Sequence, residues 1–355
     1  MTNSNNLKVG IIGYGYATKT FHAPLIKETA GLELAAFSSS DASKVRADYP
    51  DAAEMAVENT PEELIARADI DLVIIPTPNQ THFPLAEQAL LSGKHVVVDK
   101  PVTVTSSDAH KLARLAHERG LTLSVFHNRR LDGDFLTIKK LIAENVLSRI
   151  VHFESHFDRF RPQVLSRWRE SETAGSGIWY DLGSHLLDQT VQLFGKPDTI
   201  HLNQLKARDG AQSTDFFHAT LQYESPAGKP LLVILHASTL AAITGARFLL
   251  HGTTGSFEKH GLDTQEDALK SGIRPGAKDW GIDSNCGTLK ILKDGNLNET
   301  SVVNERGDYL RYYAQIRDAI RLQAPNPVPP EEAALIIELI EAGEKSALEA
   351  RTIVV

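Results

Sequence analysis

An aspartate and a histidine four residues apart, Asp181 and His185, lie in a stretch whose apolar residues recur at helical spacing. Four residues is about one helical turn, so both side chains are expected on one face. An acid one turn before an imidazole orients the ring and raises its basicity, which makes the pair a candidate general base with its orienting group. The alternative is a solvated helix face, with Asp188 and Gln192 continuing the polar stripe. A third candidate, Lys100, stands between Asp99 and Pro101 after the apolar run HVVVD. Pro101 confines Lys100 to extended backbone, and a lysine amine so held can trade a proton with a hydroxyl. Surface lysines are commoner, but the strand-end position favours chemistry.

Gly13-Tyr14-Gly15 ends the run LKVGIIG and leads into helix-compatible sequence. Glycines there allow a tight turn and close approach of a pyrophosphate to backbone N–H groups at a helix start. Gly13, Gly15, Tyr16 and Ala17 are the candidate cradle of a dinucleotide. The sixth position of the fingerprint is Thr18 rather than Gly or Ala, so a bare turn stays open as an alternative. The next strand, LELAAFS, ends in Ser38-Ser39-Ser40, with Lys44 and Arg46 beyond. An acid at that point would bind a ribose 2′-hydroxyl, whereas hydroxyls and cations suit a 2′-phosphate. NADP is therefore expected over NAD, with NAD still possible because Asp41 comes only one or two residues late. The plain alternative is that the serines merely end the strand. Pro76-Thr77-Pro78-Asn79 forms a rigid loop after the third strand. Pro76, Thr77 and Asn79 are candidates for the nicotinamide side, and His82 faces the same cleft or caps the helix it opens.

Softer polar clusters follow. His127-Asn128-Arg129-Arg130 leaves the last strand of the first half, and Arg159, Arg161, Trp168 and Arg169 follow a later one. They are candidates for substrate hydroxyls or cofactor phosphate, against the plain reading of surface ion pairs. His152, Glu154 and His156 share a strand face. A metal is conceivable there, but sheet packing or exposure is the preferred reading and no metal is expected. Trp179 and Tyr180 anchor the Asp181 helix, with Tyr180 also a candidate substrate contact.

These residues need a frame. Strand-like runs at Leu7–Gly13, Leu32–Ser38, Asp71–Thr77, His95–Asp99 and Leu121–Phe126 alternate with helical stretches. Near-continuous Val/Ile/Leu strands of this kind predict an α/β doubly wound parallel sheet, with its ligand beyond the strand carboxyl ends. From Ile150 the residues alternate in and out, as in a half-covered antiparallel strand. Further strands are expected at Phe216–Tyr223, Leu231–Ala237 and Ala246–His251, with helices at Trp179–Phe194 and Pro330–Glu349. The second half thus reads as α+β with an open sheet. The expected division is residues 1–128 for the dinucleotide and 129–355 for substrate and oligomerisation.

With 355 residues the chain exceeds a single core, which stops growing near roughly 250–300 residues. Hydrophobic residues at 42% and charged residues at 23% exclude disordered and fibrous classes. The net charge of −8 and the lack of a Lys/Arg run argue against nucleic acid. Cys286 is the only cysteine and cannot form an internal disulfide. Met1–Asn6 lacks the features of a signal peptide, and no apolar run approaches the ~20 residues that span a bilayer. A cytoplasmic protein with no membrane partner is expected.

The stretches GYGYATKTFHAPLI, PTPNQTHFPLAEQAL, GKHVVVDKP, FHNRR and GSGIWYDLGSHLLDQ together resemble the Gfo/Idh/MocA oxidoreductases, across nearly the whole chain. They are most similar to the subgroup with NADP-dependent scyllo-inositol dehydrogenases. The resemblance implies a Rossmann domain, a C-terminal domain with a large, mainly antiparallel open sheet, and a homodimer or homotetramer built through that sheet. The family's E-K-P lysine matches Lys100, with Asp99 in place of the usual glutamate, and its Asp and His match Asp181 and His185. Asn128 and Arg129 fall where relatives approach nicotinamide and substrate. The expected reaction is hydride transfer between NADP(H) and a secondary alcohol of a cyclic polyol or sugar, with Lys100 and His185 sharing the proton. Two rivals are a retained cofactor used for internal redox in sugar bond cleavage, and a non-enzymatic dinucleotide sensor. An intact Lys–Asp–His set speaks against the sensor.

Overall fold

The continuous apolar runs of the first third become six strands: β1 (Leu7–Ile12), β2 (Leu32–Ser38), β3 (Ala56–Glu58), β4 (Leu72–Ile75), β5 (His95–Asp99) and β6 (Leu123–Phe126). The computed structural model describes residues 6–50, 55–224 and 228–355. The strands pair in the order β3-β2-β1-β4-β5-β6, and every pairing is parallel. Strand order reverses beside β1, which puts the ligand crevice of such a sheet beyond the C-terminal ends of its strands. Val9, Ile11, Ile74, Val97 and Val125 are fully covered, as parallel strands with helices on both faces must be. β3 escapes a reading by pattern: three residues at the sheet edge carry no periodicity.

The helices follow their local signals. α1 (Ala23–Glu28) and α2 (Ala42–Asp48) are short, and α3 (Pro61–Ala66) starts on a Thr60–Glu63 capping box with Pro61 in its first turn. α4 (His82–Leu91) follows a 3-10 turn at Asn79–Thr81. In α5 (Ser106–Arg119), the Thr105 hydroxyl accepts from Asp108 N and Gly120 ends the helix at φ 63°. The stretch after the glycine loop is not a single α-helix to Thr29. It opens as a π-turn at Thr18–His22 and only then continues as α1.

The second sheet holds β7 (Ile150–His156), β8 (Thr199–Leu205), β9 (Phe216–Tyr223), β10 (Leu231–Ser238), β11 (Phe248–Gly252), β12 (Gly255–Lys259), β13 (Gly287–Lys293), β14 (Asn296–Val302) and β15 (Ile353–Val354). Their order is β14-β13-β12-β11-β7-β10-β9-β8-β15. β7 is antiparallel to β11 and parallel to β10, so the sheet is mixed and mainly antiparallel, as expected. Two helices of this part are α6 (Gly133–Ala143) and α7 (Ser184–Phe194). Later come α8 (Gln265–Lys270), α9 (Leu310–Leu322) and α10 (Pro330–Glu349). The chain divides into two compact units. One comprises Met1–Leu131, Gln265–Trp280 and Asp308–Ala334, and the other Asp132–Thr264, Gly281–Gly307 and Leu335–Val355. In the first unit, the Gln265 side chain ties distant segments together by bonding Leu131 O and Tyr309 N. Among the described residues no helix is long and apolar enough to cross a membrane.

On the open face of the second sheet, Glu154 lies 3.2 Å from His152 and 2.7 Å from His156. His156, His236 and His218 stand in register on three adjacent strands, with ring centroids 5.4 Å and 5.6 Å apart. Among the described residues no group of three or more His, Cys, Asp or Glu is arranged to hold a metal. Burial, and then the neighbouring His156, push the His218 ring below the ordinary histidine range. Burial likewise depresses His236, against the pull of Asp158. The unfolded chain therefore binds these protons more readily. Their contribution to stability is full above about pH 6.5 and is lost as pH falls through the lower folded values. The thermal midpoint should drop between about pH 7 and pH 5, and His236→Gln should flatten that slope. A slope that is the same in both proteins would exclude His236 from the effect.

Candidate active site

The glycine loop is held from both sides. Gly13 takes φ 86°, its N–H donates to Ser38 O at 2.9 Å, and its carbonyl accepts from the Thr18 hydroxyl at 2.8 Å. Thr18 is 1% exposed, so the residue that breaks the fingerprint has its hydroxyl satisfied in the turn that follows. An added Cβ at Gly15 meets nothing within 4 Å. Open space over Gly15, at the start of the following helical turn, suits a pyrophosphate. Tyr16, the next residue, is largely exposed. Tyr14 points elsewhere, donating to Asp48 at 2.8 Å with its ring edge-on to Phe37.

At the end of β2, Ser38 is buried, Ser39 is half-buried and Ser40 is exposed. The Ser39 hydroxyl bonds the Asp41 backbone, and Asp41 caps α2. The Asp41 carboxylate accepts from Ser43 N and from the Ser43 hydroxyl, and Lys44 lies 3.3 Å away. Hydrogen bonds from Ser43 and Lys44 hold the Asp41 carboxyl below its ordinary range.

The ends of β4 and β5 are joined by His82, which is fully buried. Its Nδ1 lies 2.7 Å from Pro101 O and its Nε2 2.8 Å from Thr77 O. Carbonyl oxygens only accept, so making both bonds at once calls for both ring protons. The His82 side chain is thus engaged in clamping the Thr77 and Pro101 backbones. Asn79, beside it, is buried, and Pro76 and Thr77 are half-buried. Asp99 receives Lys100 N at 2.8 Å and lies 4.0 Å from His22 Nε2. Burial alone would raise the Asp99 carboxyl, but His22, with Lys100 and His82 nearby, more than offsets this and holds it at about 2. His22 Nδ1 meets the Tyr313 hydroxyl at 2.5 Å. Lys100 is half-buried beyond β5. His127, Asn128 and Arg129 are all buried after β6, and Arg129 pairs with Glu266 of α8, an acid that no sequence motif singles out.

In the second unit, the expected helix Trp179–Phe194 is again two pieces: a π-turn at Trp179–Gly183, then α7. The Asp181–His185 spacing straddles that junction. Residues Ser184 to Thr190 are all buried, so the polar stripe is not a solvated face. The Trp179 indole donates to Ile340 O and sits between Gly183 and Gly343, where an added Cβ would lie 2.4 Å and 2.7 Å from the ring. Tyr180 donates to Glu344 at 3.3 Å, and burial raises both groups above their usual ranges. Asp181 is 3.5 Å from Arg169, which stacks on Trp168, while Arg159 stacks on Phe157. Arg247, buried and missed from sequence, bonds Ser155, His156 O and Gln189 of α7.

A parallel sheet with a glycine cradle at its switch point, joined to a second α/β unit, defines a dinucleotide-binding oxidoreductase. The pattern described as "Oxidoreductase family, NAD-binding Rossmann fold" matches residues 7–127, and "Oxidoreductase family, C-terminal alpha/beta domain" matches residues 139–355. The chain belongs to the Gfo/Idh/MocA family and is an enzyme of the dehydrogenase class. It is 54% identical to the Escherichia coli K12 oxidoreductase YdgJ, whose own reaction is uncharacterised, over 97% of each chain. It is 40% identical to scyllo-inositol 2-dehydrogenase (NADP(+)) IolW of Bacillus subtilis 168, over 98% of this chain and 96% of that one. A solved Yersinia pestis structure, described as an oxidoreductase, superposes with a TM-score of 0.93 at 52% identity, covering 99% of this chain and 98% of the other.

The Trp179 seat makes a prediction of unusual sign. Gly183 has helical backbone angles, φ −58° and ψ −36°, where alanine normally stabilises. Here Gly183→Ala should destabilise by about 1–3 kcal/mol through overpacking against the indole. A thermal midpoint that rises would show that Trp179 is not seated there.

Proposed function

We propose that the enzyme moves a hydride between NADP(H) and a ring hydroxyl or ketone of a cyclic polyol or sugar of the inositol type. The observation that carries this reading is Lys100, fixed beyond the carboxyl end of β5 in a sheet whose first turn leaves Gly15 open. The 40% identity to a named NADP-dependent inositol dehydrogenase supports the substrate class and the cofactor. Residues 1–128 would hold the dinucleotide and residues 129–355 the substrate. Gly13, Gly15, Tyr16 and Ala17 fit the pyrophosphate, Pro76, Thr77, Asn79 and Asn128 the nicotinamide side, and Ser39, Ser40 and Lys44 a 2′-phosphate. When bound, the nicotinamide supplies the hydride acceptor.

The chain's own residues manage the proton. Lys100 takes it from the substrate hydroxyl, with Asp99 beside it kept ionised and so able to stabilise a charged amine. His185, held on a buried helix, shares that proton, and Asp181 orients it. His127, Arg129, Arg159, Trp168 and Tyr180 complete the proposed substrate surroundings, acting through their backbone or exposed edges where their polar groups are already engaged. The protein would work in the cytoplasm as a homodimer or homotetramer through the nine-stranded sheet.

Turnover followed at the reduced-nicotinamide absorbance band, with inositol isomers and common sugars and with NADP and NAD in parallel, tests the reading. Lys100→Ala should lower turnover roughly 10²–10⁴-fold, the usual contribution of a general acid–base group, while NADPH affinity stays unchanged. Undiminished turnover would remove Lys100 from the mechanism. Ser39→Asp should raise KM for NADP about tenfold relative to NAD, since an acid there repels a 2′-phosphate. Equal effects on both cofactors would overturn the serine assignment.

A further inference from the structure

The second unit contains a pocket open to solvent, with about 460 Å³ of space counting its solvent-filled mouth. Five arginines and three carboxylates line it, an excess of two positive charges in a chain whose net charge is −8. Those cations are not equivalent. Arg208, only 7% exposed, donates to Asp215 at 2.8 Å, to Glu170 at 3.0 Å and to the Arg161 and Gln163 carbonyls. Glu170 also binds Arg167 at 2.7 Å. These groups neutralise one another and form a rigid floor.

The walls differ from the floor. Arg159 lies 4.6 Å over the Phe157 ring and Arg169 4.4 Å over Trp168. Stacking on an aromatic face orients a guanidinium by its plane and fixes the direction in which its N–H edge points, the edge that recognises a carboxylate or phosphate; that of Arg169 points toward Asp181. Arg161 is exposed, and among the described residues no carboxylate lies within 4 Å of its guanidinium. Ser213 and Thr214 add hydroxyls to the same wall.

We infer that this pocket is an oxyanion subsite, which holds a carboxylate or phosphate group carried by the substrate. Asp181 lines the pocket and lies 3.5 Å from Arg169. An oxyanion on Arg169 therefore competes with the carboxylate proposed to orient His185, so occupancy of the subsite is sensed on the acid–base helix. The identity of the carrier rests on the polyol dehydrogenase reading; the anion preference rests on the pocket alone.

Calorimetric titration of the whole chain with inorganic phosphate at low ionic strength tests the pocket, with Arg161→Gln and Arg161→Lys as variants. Arg161 is exposed, so both should keep the wild-type thermal midpoint. Phosphate should bind, weaken as salt screens the charges, and lose at least about fivefold in affinity in Arg161→Gln, with partial recovery in Arg161→Lys. Turnover of glucose, glucuronate and glucose 6-phosphate then separates the two sources of charge. The favoured anion should show a KM at least about fivefold below that of glucose, and Arg161→Gln should erase the difference. Phosphate affinity indifferent to Arg161, or glucose turned over as well as both anions, would overturn the subsite. Arg161-dependent phosphate binding in a protein that turns over no inositol isomer and no sugar would support the subsite while removing the polyol or sugar substrate reading.

Discussion

The Trp179 indole is seated between two glycines, Gly183 and Gly343, and its N–H is satisfied by Ile340 O. No larger residue fits at either glycine without moving the ring. That close approach fixes the π-turn at Trp179–Gly183 against α10, and the π-turn in turn presents Asp181 and leads into α7 with His185. Single π-turns inside helices are rare and concentrate at functional sites. Arg247 secures the far side, since its guanidinium joins Gln189 of α7 to Ser155 and His156 O of β7. Burying a guanidinium costs less when its N–H groups are engaged; both terminal nitrogens are bonded and Nε lies 4.0 Å from Asp134, so α7 is held against the end of β7, the central strand.

The first unit meets an analogous demand at its strand ends. Lys100 leaves β5 between groups that are already committed: Asp99, kept ionised by His22, Lys100 and His82, and Pro101, whose carbonyl is taken by His82. The Thr77 carbonyl is held by the same ring. One imidazole thus couples the loop after β4 to the loop after β5, and both loops belong to the edge of the sheet where ligands of this fold bind. The other π-turn, Thr18–His22, delivers His22 to Asp99 from the opposite side. Loops tied together in this way hold one another in place, since the same buried ring bonds the backbone of both.

Much of this was legible from residue patterns, because the signals were local. β2, β5, β9 and the α10 span were readable to the residue, and the Thr60 and Thr105 caps and the Gly120 stop follow from side-chain chemistry within one turn. What escaped either lacked an in-out pattern or joined distant segments. β14 is exposed along nearly its whole length, so it carries no alternation, although it pairs with β13 across an Asp294-Gly295 turn with φ 52° and 78° and through the Lys290–Glu299 ion pair. The parallel pairing of β7 with β10 joins segments far apart in the chain, and no local signal announces it. Glu266, Glu170, Arg208 and Arg247 look like ordinary surface charges in sequence, and only the fold reveals what they pair with. The π-turns are invisible to a 3.6-residue period, since one inserted residue shifts the pattern without erasing it.

At the end of β2 one carboxylate, Asp41, is already engaged on both of its oxygens. Asp41 is close enough to the strand end to serve as a ribose reader, yet its Oδ1 accepts from Ser43 N and the Ser43 hydroxyl, and its Oδ2 faces Lys44. Capping α2 engages Oδ1 and leaves Oδ2 to the exposed Lys44 amine. The same arrangement occupies Lys44, so a 2′-phosphate would have to compete with Asp41 for that amine. On the NADP reading proposed above, the phosphate would have the advantage, because it carries more charge than a carboxylate and because an exposed Lys–Asp pair contributes little to stability. Asp41 would still keep its Ser43 bonds after losing Lys44. A strand end that commits one oxygen of its acid to a helix cap and holds its lysine only weakly suits the proposed 2′-phosphate with little rearrangement.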